Sequence, residues 1–211
     1  MTSAAPPAKK TLFAALAGNP NVGKSSLFNA LTGLRQRVAN YPGVTVDRHE
    51  GAVERSGTTF RFVDLPGLYS LVPRSPDERV AAEVLAGRMA GLGKPDVVVV
   101  VVDASQLRRG LFLISQATDL GLPIVVALNM ADEAKRAGNA TTADALSKAL
   151  GGLPVVETVA SKGLGKEALL DAVAAAAARA FFPPEDAAWR KAAALPDGEG
   201  SRWERLRRAD P

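Results

Sequence analysis

The chain has 211 residues, of which 47% are hydrophobic and 23% charged, with a formal net charge of +4 at pH 7 and no cysteine. This balance is typical of a folded globular protein, and the lack of cysteine excludes disulfides, thiolate metal sites and cysteine nucleophiles. The longest aliphatic run, the valines at 97–102, falls far short of the about 20 residues that a membrane-spanning helix needs. Basic residues form no run with interleaved aromatics, so we expect no nucleic-acid partner.

Short apolar runs alternate with helical patterns along the chain. This alternation predicts an α/β fold, a mostly parallel sheet of six strands with one antiparallel edge strand and helices on both faces. The strands are expected at residues 11–18, 51–55, 58–64, 97–102, 123–129 and 153–159. Helices are expected at residues 24–32, from the capping box at 75–78 to about 87, from Thr141 or Thr142 to 151, and at 165–181.

Composition divides the chain into three parts. Residues 1–10 are rich in Ala and Pro, which predicts a disordered lead-in. Residues 11–182 hold all the strand patterns and predict one domain. Residues 183–211 hold both tryptophans and a Gly/Pro break, and they predict a tail that is either a shortened or divergent helical extension or a mobile segment.

The first strand runs into GNPNVGKS, residues 18–25, which fits the phosphate-loop pattern G-x-x-x-x-G-K-[ST]. In such a loop, backbone N–H groups converge on a β-phosphate and the next helix adds the positive end of its dipole. Gly18 and Gly23 allow the close approach of the backbone. Lys24 is expected to neutralise β and γ oxygens, and the Ser25 hydroxyl to bind Mg²⁺. The bare pattern also occurs by chance, but its place between a strand and a helix favours a nucleoside triphosphate site.

The second motif is DLPG, residues 64–67, at the end of the 58–64 strand. An aspartate leaving a buried strand there is expected to hold Mg²⁺ through water, and the Gly67 N–H to reach a γ-phosphate. Asp-x-x-Gly alone is a common turn sequence. Its combination with the upstream phosphate loop indicates a nucleotide-hydrolysing site.

The third motif, NMAD at residues 129–132, follows the 123–129 strand and indicates which nucleotide base is bound. Guanine offers two adjacent donors, N1–H and the 2-amino group, which one carboxylate such as Asp132 accepts together. Adenine has an acceptor at N1 and leaves that carboxylate unpaired, so the sequence predicts GTP rather than ATP. Asn129 is expected to touch the other edge of the base and to brace the loop. The ASK segment, residues 160–162, is expected to give a backbone N–H to the guanine carbonyl, although Asn-x-x-Asp in isolation is only a turn.

With these motifs in place, the chain resembles the small GTPase domain at the amino terminus of the bacterial ferrous iron transporter family, FeoB, over about residues 11–181. The segments QRVANYPGVTVDR, DLPGLYSL and GLPIVVALNMADEAKR are similar to that family's own versions. The resemblance implies a P-loop GTPase fold, a first switch at residues 36–49 with Thr45 as a Mg²⁺ ligand, and a second switch beginning at residues 64–70.

Three positions bear on the expected mechanism. Leu68 stands where many GTPases carry the glutamine that orients the attacking water, so we expect slow hydrolysis. Asn21 stands where the resembling family uses an asparagine to help hold K⁺ beside the phosphates; the alternative is that it only braces the loop. Met130 replaces a frequent lysine, and we expect modest nucleotide affinity and fast exchange.

The candidate cofactors are thus GTP or GDP, Mg²⁺ and K⁺. The expected nucleotide-binding residues are Gly18, Asn19, Asn21, Val22, Gly23, Lys24, Ser25, Ser26, Asn129, Met130, Asp132, Ala160, Ser161 and Lys162. The expected catalytic residues are Asn21, Lys24, Thr45 and Gly67, the expected Mg²⁺ ligands are Ser25, Thr45 and Asp64, and the expected K⁺ ligand is Asn21.

The resemblance also implies a membrane permease as partner and a place at the cytoplasmic face of the bacterial inner membrane, while a homo-oligomer is left open. Two other functions share these motifs: a free-standing GTPase of ribosome assembly or tRNA modification, and a slow GTP-sensing module. An ATP-dependent small-molecule kinase is disfavoured by Asp132.

Overall fold

The computed structural model of the chain describes residues 10–33, 36–138 and 141–179. The expected tail at 183–211 and the expected lead-in, apart from Lys10, lie outside the described residues. The last helix was expected to run to about 181, but it ends at Ala178.

A single mixed sheet forms the centre of the described part. Its strands are β1 (Lys10–Gly18), β2 (Gln36–Asn40), β3 (Asp47–Arg55), β4 (Thr58–Asp64), β5 (Val97–Asp103), β6 (Ile124–Asn129) and β7 (Val155–Glu157). They lie in the order β2-β3-β4-β1-β5-β6-β7. Parallel pairing joins β4, β1, β5, β6 and β7, whereas β3 is antiparallel to both of its neighbours. The predicted fold class is therefore confirmed.

The strand count is a correction, because the sheet has seven strands rather than six. The additional strand is β2, which pairs with β3 alone and leaves most of its residues exposed. Its sequence, QRVAN, lacks the apolar pattern of a buried strand. As a result β2 forms the outer edge, and the antiparallel strand β3 lies one position inside it.

Helices cover both faces of the sheet. They are α1 (Lys24–Thr32), α2 (Pro76–Leu85), α3 (Leu107–Thr118), α4 (Ala131–Arg136), α5 (Ala143–Ala149) and α6 (Lys166–Ala178), with a short 3₁₀ helix at Ala160–Lys162. Buried residues of α2, α3, α4 and α5 pack on one face, and those of α1 and α6 on the other. None of the helices in the described ranges is both long and apolar enough to cross a membrane.

The helix boundaries follow from local chemistry. Gly23 precedes α1 in the left-handed conformation, at φ 78°. The Ser75 side chain accepts a hydrogen bond from the Glu78 N–H at the start of α2, and Pro76 occupies the first turn. Thr142, rather than Thr141, caps α5 in the same way. Helices α3 and α4 are additional to the predicted set.

Parallel strands deliver the loops that follow them to one edge of the sheet. The motif segments 18–25, 64–67 and 129–132 follow β1, β4 and β6 at this edge. Strand β5 lies between β1 and β6, and its valines are at most 1% exposed. The three sequence motifs therefore meet at the carboxyl edge of the central strands.

Candidate functional site

The phosphate loop joins β1 to α1 through a backbone that bends twice into the left-handed region. Asn21 has φ 65° and Gly23 has φ 78°. At Gly18 a Cβ atom would lie 2.7 Å from the Val101 carbonyl oxygen, so only glycine fits beside β5. The loop ends at the first turn of α1, where free N–H groups and the helix dipole favour an anion.

Asp64, the last residue of β4, contacts two side chains of the phosphate loop. One carboxylate oxygen accepts a hydrogen bond from Lys24 Nζ at 2.5 Å, and the other accepts from Ser25 Oγ at 2.8 Å. The Lys24 and Asp64 side chains are only 9% and 6% exposed. A buried ammonium, a hydroxyl and a carboxylate are thus held together directly below the loop.

The segment after Asp64 runs back against the phosphate loop. The Leu68 N–H donates to the Gly18 carbonyl at 3.1 Å. A Cβ on Gly67 would lie 2.9 Å from Pro20 Cγ, so the two loops are in contact. The Leu68 side chain is 0% exposed and belongs to the hydrophobic core, so it does not face the loop.

Two further side chains fix the backbone after Leu68. Glu78 accepts hydrogen bonds from the Tyr69 and Arg74 N–H groups, and Gln116 Oε1 accepts from the Leu71 N–H at 2.8 Å. Sequence reasoning identified Glu78 only as part of the helix cap and did not identify Gln116. No sequence signal marks Gln116, because its partner lies 45 residues away on another element.

Asn129 joins the base-side motif to the phosphate loop. Its Nδ2 donates to the Val22 carbonyl at 2.9 Å. Its Oδ1 accepts from Thr158 Oγ1 at 3.1 Å and from the Ala160 N–H at 3.0 Å. The side chain is buried, at 1% exposed, so this asparagine locks three loops into one unit.

Asp132 lies in the first turn of α4 and forms ion pairs with two basic side chains. Lys162 Nζ lies 2.6 Å from Asp132 Oδ2, and an Arg136 nitrogen lies 3.5 Å from the same oxygen. The hydrogen bond from Lys162, helped by the charges of both cations, lowers the pKa of the Asp132 carboxyl below its usual range. The carboxylate is therefore ionised at neutral pH and acts as a hydrogen-bond acceptor.

The ASK segment offers a limited choice of backbone donor. The Ala160 N–H is bonded to Asn129, and the Lys162 N–H is bonded to the Val159 carbonyl at 2.9 Å. Ser161 is exposed, and among the contacts of the described residues its N–H is the one in this segment that remains for a ligand.

One cavity of about 1350 Å³ collects most of the predicted phosphate-side residues. Those that line it are Asn19, Asn21, Gly23, Lys24, Ser25, Ser26, Gly67 and Met130. Asp64 is buried behind Lys24 and Ser25, and Asp132, in the first turn of α4, is not among the residues that line this cavity. Thr45 is not among the lining residues; it is exposed in the turn between β2 and β3.

The chain is similar to proteins of one family. The model of the family described as Ferrous iron transport protein B matches residues 12–173. The Fe(2+) transporter FeoB of Escherichia coli (strain K12) is 46% identical over 164 residues, which are 76% of this chain but only 20% of that protein. The chain therefore matches about a fifth of the length of such relatives.

Solved structures of FeoB proteins are also similar to this chain. The G domain of the T. maritima FeoB iron transporter has 39% identity and a TM-score of 0.71, covering 79% of this chain and 99% of that one. A mutant of S. thermophilus NFeoB bound to GDP has 41% identity and a TM-score of 0.73, covering 82% of this chain and 66% of that one.

Proposed function

The chain belongs to the ferrous iron transport protein B family, as a G domain of that family, and from this premise we propose that it binds and slowly hydrolyses GTP with Mg²⁺ and K⁺ to regulate an iron permease. The domain spans residues 11–182 in this proposal.

One observation carries the nucleotide assignment. Asn129 connects the phosphate loop at Val22 to the ASK segment at Ala160, so the base-side and phosphate-side motifs have a fixed separation. A nucleotide, which carries a base and a phosphate chain in one molecule, is a ligand that can reach both. The family members solved with GDP agree with this assignment.

Guanine selection rests on the Asp132 carboxylate. This carboxylate is ionised at neutral pH and can accept from both N1–H and the 2-amino group of guanine. The Ser161 N–H supplies the donor for the guanine carbonyl, and the Asn129 Nδ2 hydrogen that is not bonded to Val22 is the one left for the other edge of the base. Met130 packs on the base without adding charge, so affinity is modest and exchange fast.

The donor set around Asp64 fits Mg²⁺. A carboxylate oxygen and a hydroxyl oxygen 2.8 Å apart are hard donors of the kind this ion prefers. Ser25 would hold the ion directly and Asp64 through water, with Thr45 as the further oxygen ligand that the resemblance implies. The ion, when bound, neutralises charge on the β and γ oxygens.

Hydrolysis depends on groups other than position 68, because the Leu68 side chain is buried in the core. The Gly67 N–H and Lys24 stabilise charge on the γ-phosphate. Asn21 is exposed in the same cavity as Lys24, and its amide oxygen would hold K⁺, which would supply positive charge to the phosphate oxygens. A slow GTP-sensing module is the second candidate, and the burial of Leu68 favours it.

The proposed regulatory role involves parts of the transporter that this chain does not match. The full-length relatives are named Fe(2+) transporters, and the chain covers 20% of the one compared. We assign the domain to the cytoplasmic face of the bacterial inner membrane, where it acts on the permease portion of the transporter, with self-association as an open option.

Competition between GTP and ATP tests the base assignment. We expect at least about 100-fold preference for GTP. Asp132→Asn should transfer the preference to xanthosine triphosphate, because an amide N–H donates to the 2-carbonyl of xanthine. Equal binding of ATP and GTP would refute the assignment.

Turnover in KCl against NaCl tests the cation. We expect faster hydrolysis in KCl and loss of that difference in Asn21→Ala, since the amide oxygen is removed. Equal rates in both salts exclude K⁺ activation, and no turnover in either salt supports the sensing module instead.

A further inference from the structure

Strand β2 (Gln36–Asn40) is the outermost strand of the sheet and pairs with β3 alone. Residues 37–40 are exposed, and Val38 is 61% exposed although it is apolar. Among the described residues, no other strand covers the outer side of β2. An edge strand of this kind presents backbone N–H and C=O groups with which another strand can pair.

The backbone groups that face the open edge follow from the pairing of β2 with β3. The Tyr41 N–H donates to the Val46 carbonyl at 2.9 Å, and this contact continues the register of the two strands. In an antiparallel ladder, hydrogen-bonded pairs alternate with pairs that are not hydrogen-bonded. Residues 37 and 39 therefore direct their N–H and C=O groups to β3, as Tyr41 does. The residues that direct theirs to the open edge are Gln36, Val38 and Asn40.

Little in β2 protects this edge. Natural edge strands are commonly blocked by proline, lysine, a bulge or an inward-pointing charge. The sequence QRVAN contains neither proline nor lysine, and its pairing with β3 runs without a bulge. Its charged residue, Arg37, lies opposite Glu50 of β3. The remaining protection is the short length of five residues, which makes pairing with a further strand weak.

The sequence of β2 is complementary to itself. In antiparallel pairing of two copies about Val38, each Val38 lies opposite the other. Gln36 then lies opposite Asn40, and Arg37 lies opposite Ala39, which is small and uncharged. The outward-facing residues become the hydrogen-bonded pairs, with about six backbone hydrogen bonds. Valine gains an apolar β-branched partner, the two amide side chains can bond to each other, and no like charges lie directly opposite.

We propose that this chain forms a symmetric dimer in which β2 pairs with β2 of a second copy, so that the sheet continues from one chain into the other. The interface is small, and the expected dissociation constant is about 100 µM, in the range of transient contacts. Because β2 begins the segment expected to form the first switch, residues 36–49, the two copies meet beside their switches. This contact is independent of the proposed function, because it needs no nucleotide.

Sedimentation equilibrium of the full 211-residue chain, from about 10 to 500 µM, measures the dimer. Val38→Pro removes the central N–H donor, and because that N–H faces outward, the bonds between β2 and β3 are kept. This variant should weaken dimerisation at least about tenfold. The matched control is Val38→Thr, which keeps the N–H and the β-branched shape and should change the dissociation constant less than about twofold.

Disulfide trapping tests the register, and it decides the question if Val38→Pro does not fold. The chain has no cysteine, so each introduced thiol is unique. Positions 37 and 39 of opposite copies form pairs that are not hydrogen-bonded, with Cα atoms about 4.5 Å apart, which a disulfide can span. A mixture of Arg37→Cys and Ala39→Cys chains should therefore oxidise to the mixed dimer at least about fivefold faster than either chain oxidises alone. A mixture of Arg37→Cys with Leu164→Cys, at another exposed position, is the control.

Three results would overturn the proposal. A chain that stays monomeric at about 500 µM would leave the edge to an extended segment of another protein. Equal dimerisation of Val38→Pro and Val38→Thr would place the contact on another surface. Mixed disulfides that form no faster than the control would show that the two β2 strands do not pair in this register. None of these measurements involves nucleotide, so failure of the dimer and failure of the proposed function are distinguishable.

Discussion

Two parts of the site are built in opposite ways. The cradle, defined as residues 18–25 with Asp64 and Asn129, is held by hydrogen bonds between buried side chains and backbone. The switch turn, defined as residues 41–46 between β2 and β3, is anchored at its ends and exposed at residues 42–45. The cradle is thus held by buried contacts, whereas residues 42–45 in the switch turn are exposed to solvent.

The anchor of the switch turn is Tyr41. Its N–H donates to the Val46 carbonyl at 2.9 Å, and its carbonyl accepts from the Val44 N–H at 3.2 Å. The ring is 1% exposed, and the buried hydroxyl has no hydrogen-bond partner among the described residues. Burial, with a smaller contribution from the charge of Asp64, raises the pKa of this hydroxyl, so it stays protonated.

The largest effect is expected from Asn129→Ala, which opens the cradle. Three hydrogen bonds are lost and their buried partners are left unpaired, so the free energy of unfolding should fall by about 4 kcal/mol. Nucleotide affinity should fall at least about 100-fold. Denaturant titration and nucleotide titration measure the two effects. Asn29→Ala, at an exposed position, is the control and should change stability by less than about 0.5 kcal/mol.

Substitutions at two glycines, one in each region, allow a direct comparison of how tightly the two regions are packed. Gly23 in the cradle and Gly43 in the switch turn both have φ 78°, but a Cβ on Gly23 would lie 2.4 Å from Asn129 Nδ2, whereas one on Gly43 meets nothing within 4 Å. Gly43→Ala should cost about 1 kcal/mol of unfolding free energy from backbone strain alone. Gly23→Ala should cost about 3 kcal/mol, because the clash adds to the strain. Equal losses in denaturant titrations would show that the cradle is no tighter than the turn.

Thr45→Ala tests whether the switch turn acts only with the triphosphate. The residue is exposed, so stability and GDP binding should stay within experimental error. Binding of a non-hydrolysable GTP analogue with Mg²⁺ should weaken about tenfold, because one oxygen ligand is lost. Thr45→Ser keeps the hydroxyl and should bind normally. An equal loss for GDP would place Thr45 in the cradle function instead.

The smallest effect is expected from Tyr41→Phe, and it has the opposite sign. Removing a buried hydroxyl without a partner should raise the free energy of unfolding by about 1 kcal/mol. Denaturant titration of the nucleotide-free protein measures it. A decrease would show that the hydroxyl is hydrogen-bonded in solution.

Elements with strong local signals were predictable from sequence. Helix α1 begins and ends as predicted, because glycines flank it on both sides. The β3–β4 hairpin and the caps of α2 and α5 were also predicted from their turn and capping residues. Asn129 donates to the Val22 carbonyl, which is the contact that the expected bracing role requires.

Other features depend on tertiary contacts that leave no local signature. Strand β2 is mostly exposed, with Val38 at 61%, and is specified by pairing with β3 rather than by an apolar pattern. Helix α3 has neither a side-chain cap nor a glycine at either end, so it lacks the signals that marked the predicted helices. The joint hold of Asp64 on Lys24 and Ser25 links elements about 40 residues apart and was visible only in the structure.

Strand β5 has a practical consequence for all measurements of stability. Its six consecutive valines have high β-propensity, no charge and no proline, which are the features of segments that stack with copies of themselves once uncovered. In the folded chain β1 and β6 cover its two edges. Because opening either edge exposes a template for aggregation, we expect heating curves of this protein to be irreversible, and equilibrium measurements on dilute samples to be needed for free energies of unfolding.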